Sequence, residues 1–96
     1  MVTEIALLHI RKQESNLFKA AFEEAQSIIS SMQGYIEHEL QKCIEAENKY
    51  LLIVRWQTLE DHTEGFRKSE AYNDWKKLLH HFYDPFPVVE HYKKIY

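Results

Sequence analysis

Between His62 and Trp75, within fourteen positions, the chain gathers an imidazole, a guanidinium and three aromatic rings: His62, Phe66, Arg67, Tyr72 and Trp75. Histidine is the side chain that titrates near neutral pH when unperturbed, so His62 suits a base or a hydrogen-bond donor. Arg67 is a permanent cation able to stabilise an oxyanion, and Phe66, Tyr72 and Trp75 could wall a flat molecule, with Tyr72 also offering a hydroxyl. Such a set fits the removal of a proton from a small organic substrate and the holding of its anion in a dry pocket. Each member also has a plainer reading. Trp75 and Tyr72 fall on an apolar helical stripe, where rings usually form core. His62 could cap a short helix or bond a backbone carbonyl, and Arg67 could pair with Glu64 or Glu70 at the surface. His38 falls on the inward set of a strand, as either a satisfied core group or a polar group of the pocket.

The elements that must carry these residues follow from changes of period. Val2 to Arg11 alternates Ile5, Leu7 and His9 against Ala6, Leu8 and Ile10, which predicts a first strand. From Glu14, Phe18, Ala21, Phe22, Ala25, Ile28, Ile29 and Met32 recur at helical spacing, and Gly34 is placed to end that helix. Tyr35 to Cys43 alternates Ile36, His38 and Leu40 against Glu37, Glu39 and Gln41, a half-exposed second strand. A short polar link, Glu45 to Lys49, predicts a hairpin into the third strand, Leu51 to Trp56. Thr58 is placed to cap a short helix through Glu64, which Gly65 is expected to interrupt. Ser69 is placed to cap the next helix, with Ala71, Tyr72, Trp75, Leu78, Leu79 and Phe82 as its buried stripe. Asp84-Pro85-Phe86-Pro87 cannot continue a helix, and Val88 to Tyr96 reads as a fourth strand. The order β-α-β-β-α-β is that of a ferredoxin-like α+β domain, with the helices on one face of a four-stranded antiparallel sheet.

Composition limits the partners. The 96 residues predict one domain, 1–96, and a formal charge of −3 with Lys and Arg scattered gives no footprint for nucleic acid. Cys43 is the sole cysteine, so no internal disulfide or Cys-rich metal site can form, and a reducing compartment suits it. No apolar run reaches membrane-spanning length and no signal peptide precedes the first strand, so the expected location is the cytoplasm, without membrane attachment. The first and third strands are apolar on both faces, whereas two helices cover only one. A second copy is the expected cover, giving a homodimer whose two sheets pack face to face.

The run Leu52-Ile53-Val54-Arg55-Trp56-Gln57-Thr58-Leu59-Glu60-Asp61-His62, the Gly65-Phe66-Arg67-Lys68-Ser69 turn and the closing Val89-Glu90-His91-Tyr92, in that order of elements, resemble the antibiotic biosynthesis monooxygenase family over essentially the whole chain. The resemblance implies a dimeric α/β barrel. It also implies a set of activities that includes cofactor-free oxygenation of polyphenols and quinols, haem degradation and an isomerase. The haem-degrading members carry an asparagine on strand one, a tryptophan before the serine that opens the last helix, and a histidine iron ligand one or two turns on. Here Leu7 or Leu8, Phe66 and Lys76 stand at those positions, which argues against haem, although His80 or His81 could ligate instead. No helical His pair has metal-ligand spacing, so no metal ligand is named. The resemblance therefore points to a cofactor-independent monooxygenase without metal, acting on a small phenol, quinol or dicarbonyl. In it His62 and Arg67 would be catalytic, and Trp75, Phe66, Tyr72 and His38 would bind substrate. The alternative is a non-catalytic dimeric small-molecule-binding or structural barrel. An enclosed cavity lined by His62, Trp75 and a cation would favour the enzyme, and a filled interior would favour the alternative.

Overall fold

Alternation on β1 (Val2–His9) sends Glu4, Ala6 and Leu8 to one face and Thr3, Ile5, Leu7 and His9 to the other, and only the first set is fully buried. In this computed structural model, which describes residues 1–96, the chain continues through α1 (Ser15–Ser30), β2 (Tyr35–Lys42) and β3 (Lys49–Trp56). After these come a wide π turn (Asp61–Phe66), α2 (Glu70–Leu79), a short 3-10 turn (His80–Phe82) and β4 (Val89–Tyr92). The sheet order is β2-β3-β1-β4 with every pairing antiparallel, the expected ferredoxin-like arrangement.

The helices lie on the Glu4, Ala6, Leu8 side. α1 buries Phe18, Phe22, Ala25 and Ile29, and α2 buries Trp75 and Leu79. These meet Tyr50, Leu52, Val54 and Trp56 from β3 in one core of sixteen residues. Ser69 caps α2 as expected, its hydroxyl accepting the Tyr72 N–H at 3.2 Å. The opposite face has no cover: Ile5, Leu51 and Ile53 are part-exposed there and Leu7 is 40% exposed.

Three local expectations change. Ile36 does not join His38 and Leu40 on the inward set, because a bulge between Tyr35 and Glu37 inserts it as an extra residue and leaves it exposed. Gly65 does not interrupt the short helix, which runs on through Phe66 as a π turn. β4 spans four residues rather than nine, and Ile95 and Tyr96 lie exposed beyond it. None of the chain's helices is long and apolar enough to cross a membrane.

Candidate functional site

The site begins at the π turn. Thr58 and Asp61 brace its start reciprocally: the Thr58 N–H donates to Asp61 Oδ2 at 3.2 Å and the Asp61 N–H to Thr58 Oγ1 at 3.1 Å. Its far end closes with the Arg67 N–H donating to the His62 carbonyl at 3.0 Å, a five-residue step that defines the wide turn. In this geometry His62 and Phe66 both face inward and are buried. Gly34 (φ 83°) lies against the outside of the turn, where any Cβ would collide with the Asp61 carboxylate.

Inside, four polar groups line up. The Trp56 indole N–H donates to Glu4 Oε1 at 2.9 Å, and His62 Nε2 stands 3.4 Å from the same oxygen. His62 Nδ1 is 2.8 Å from His91 Nε2 on β4. Register explains the line: Glu4 and His91 are directly paired residues of β1 and β4, so both side chains rise on the helix side and His62 comes down onto them. The Trp56 and His62 rings stack at 5.4 Å and 19°. Glu4 is only 5% exposed and His62 only 3%.

Burial sets the charges. It pushes the Glu4 carboxyl up to about 7, against smaller opposite pulls from the Trp56 hydrogen bond and the Arg67 charge. It also holds the His62 imidazole down to about 3, helped by the Arg67 and His91 charges. Their contact is thus a carboxyl group against a neutral imidazole near pH 7, not an ion pair. His91 is lowered too, first by burial and then by Arg67.

A cavity of about 310 Å³ opens beside this line, between sheet and helices. Glu4 and His62 form its polar floor, Arg67 stands at its exposed lip, and Phe66, Tyr72 and Trp75 wall it. The five residues that sequence spacing drew together therefore share one cavity. Arg67 pairs with neither Glu64 nor Glu70; Glu64 is taken by Lys68 at 2.6 Å. Phe66 is the hub of the walls, with Tyr72 at 5.2 Å and Trp75 at 5.6 Å, both nearly edge-on. His38 is not in this group: Gln26 of α1 bonds its Nε2 at 2.8 Å and the Tyr35 hydroxyl its Nδ1 at 2.5 Å. It also packs against Phe22, away from the cavity lining.

Sequence reasoning missed Glu4, although a carboxylate sharing parity with Ala6 and Leu8 was a visible signal. It also missed Tyr83, Phe86 and Pro87, which complete the far wall with His80 and which only the return of the chain after α2 brings there. Tyr83 is buried, yet its hydroxyl has no protein partner and is not sealed from water-sized space.

The antibiotic biosynthesis monooxygenase family profile matches residues 1–78. The chain belongs to the antibiotic biosynthesis monooxygenase family. A curated relative within reach is the uncharacterized protein YczJ of Bacillus subtilis (strain 168), 57% identical over 95 residues, covering 99% of this chain and 100% of that one. Among solved structures, a candidate antibiotic biosynthesis monooxygenase from Bordetella bronchiseptica superposes with a TM-score of 0.94 at 28% identity, over 99% of this chain and 97% of that one. SnoaB from Streptomyces nogalater, described as a cofactor-independent oxygenase, superposes with a TM-score of 0.86 at 13% identity, over 99% of this chain and 93% of that one. At that identity the likeness is one of fold. The family frame therefore accounts for the sheet and the helices, while the residues in the hollow carry their own chemistry.

Proposed function

We propose that this chain is a cofactor-independent monooxygenase that oxidises a small phenol or quinol, and that it works as a homodimer. The observation that carries the reading is the cavity: about 310 Å³, roofed by aromatic rings, with a cation at the lip and titratable groups on the floor. Its size is about twice the ~150 Å³ that encloses one benzene, which suits a molecule of one or two rings. For a hydroquinone the reaction balances as one hydroquinone plus one dioxygen giving one hydroxyquinone plus one water. One oxygen atom enters the ring, the other leaves as water, and the substrate supplies all four electrons. Removal of a hydroxyl proton makes the ring electron-rich enough to meet dioxygen, and that proton leaves at the His62 floor. Arg67 would stabilise the resulting oxyanion, and Phe66, Tyr72 and Trp75 would hold the ring. The small volume and the buried floor exclude most water, which strengthens each of these interactions.

The homodimer reading rests on the bare face, whose part-exposed Ile5, Leu7, Leu51 and Ile53 make a contiguous apolar patch flanked by the Arg55–Glu37 pair. Ile53→Asp should abolish association while leaving the helix-covered core intact, because a carboxylate cannot be desolvated without a partner. Sedimentation would read this, and a wild-type monomer at micromolar concentration would remove the dimer.

The activity test is oxygen uptake with a panel of hydroquinones, comparing wild type with His62→Ala and Arg67→Ala. Loss of uptake in both variants is expected. Equal rates in wild type and His62→Ala would remove His62 from the reaction, and ligand binding without any uptake would make the protein a binding module instead.

A further inference from the structure

We propose that Glu4, His62 and His91 form a proton relay, in which Glu4 takes the hydroxyl proton of a substrate bound in the cavity and the two imidazoles carry it to solvent at β4. The proposal rests on the oxygenase reading above and specifies which atom receives the proton.

His62 cannot do this alone. Its Nδ1 is bonded to His91 Nε2 at 2.8 Å, its Nε2 faces Glu4 Oε1 at 3.4 Å without forming a hydrogen bond, and an imidazole held down to about 3 is too weak a base to take a phenolic proton unaided. Glu4 has the free atom. Its Oε1 meets Trp56 and His62, whereas Oε2 has no partner in the protein and is not sealed from water-sized space. Glu4 also lines the cavity. The three side chains form a line rather than converging on one point, with His62 in the middle presenting one nitrogen to each neighbour. That arrangement suits proton passage and does not suit a shared metal ion. The outer member, His91, lies half-buried on the edge strand and makes no hydrogen bond through Nδ1.

The transfer balances without any co-reactant. The substrate O–H bond breaks and an O–H bond forms on Glu4. The proton arrives on Glu4 Oε2, and a half-turn of the carboxyl group turns that O–H toward His62. It passes to His62 Nε2 while the Nδ1 proton of His62 passes to His91 Nε2 and His91 releases its Nδ1 proton to water. A proton returning by the same path when the second oxygen leaves as water resets both rings. The 3.4 Å step is long for an uncharged contact and must shorten when substrate fills the cavity.

The charges around Glu4 agree with these roles. Trp56 faces it from β3, His62 and Arg67 from the π turn and its end, Tyr72 from α2, Tyr83 from the segment after α2, and His91 from β4. With the carboxyl pushed up to about 7, Glu4 is half-ionised near neutral pH and can both take and give a proton. With the imidazole held down to about 3, His62 passes a proton on rather than storing it.

Two measurements test the relay. In the substrate-free protein, NMR titration should show the Glu4 carboxyl carbon titrating close to pH 7, with the His62 and His91 ring nitrogens responding at the same midpoint. A Glu4 carboxyl titrating in the ordinary carboxylate range, or rings that ignore it, would overturn the relay whatever the activity. With a hydroquinone that supports oxygen uptake, Glu4→Gln should lower kcat by about 10²-fold or more and erase the limb of the pH profile near 7. His91→Ala should lower kcat and be rescued by added imidazole, an effect no structural role produces. Unchanged kcat in His91→Ala, or a loss that imidazole does not restore, would remove the outlet. If wild type consumes no oxygen while the coupled titration is present, the oxygenase reading falls and the relay stands as the proton path of the cavity.

Discussion

The region under α1 and the region under α2 are built from the same kinds of ring and finished differently. Under α1, Phe18 packs against Phe22, Tyr50, Phe82 and Tyr83 at centroid distances from 5.2 to 6.4 Å and is fully buried. Under the π turn and α2, Phe66 packs against Trp56, Tyr72 and Trp75 at 5.2 to 5.9 Å, yet a cavity remains beside it. Tyr50 and Trp56 stand six residues apart on β3, about 20 Å along the strand, so the two regions lie toward opposite ends of one layer, with Tyr83 touching both. The contrast teaches that aromatic density does not mark a site. What distinguishes the hollow region is a carboxylate and an imidazole set among the rings, where a methyl or phenyl group would have closed the space.

The largest effect expected from this contrast concerns packing. Phe18→Ala should destabilise by about 3–5 kcal/mol, because the surrounding rings cannot collapse into the void. Trp75→Ala should cost less in spite of its larger side chain, since one side of that ring already faces empty space; equal losses in denaturant unfolding would erase the distinction. The next effect concerns charge. Glu4 is raised from 4.5 to about 7, so its contribution to stability is complete below pH 4.5 and is lost as pH rises through 7. Glu4→Gln should therefore be near neutral at pH 4.5 and more stable than wild type by about 3 kcal/mol above pH 7. A gain independent of pH would show that Glu4 is not desolvated in the folded state. The smallest effect concerns two phenols. The Tyr50 hydroxyl is buried without a partner under α1, so Tyr50→Phe should stabilise by about 1 kcal/mol. Tyr83→Phe, whose hydroxyl reaches the cavity, should leave thermal stability unchanged.

The order of elements was legible because the hydrophobic period switches from two to 3.6 and back at each boundary, and because Ser69 stands where a cap belongs; Gly34, expected to stop α1, lies instead in the turn beyond the helix end at Ser30. The clustering of His62, Arg67, Phe66, Tyr72 and Trp75 was legible as well, since all five lie on two consecutive short segments. Glu4 was missed: both faces of strand one read as apolar, so alternation did not tell which face the helices cover, and only the β1–β4 register reveals that His91 stands beside it. His38 was correctly turned inward, and inward proved to mean α1 and Gln26 rather than the cavity. The bulge at Ile36 lies inside a strand whose alternation gives no sign of it, and Gly65 sits within the π turn without breaking it.

The fit between Gly34 and Asp61 has a consequence for anyone redesigning this protein. The segment that holds the imidazole is wedged against the turn between α1 and β2, so its pose is governed from outside the hollow. Enlarging residue 34 while trimming residue 61 would swing His62 without touching a single atom that meets a ligand, giving a remote adjustment screw for tuning reactivity.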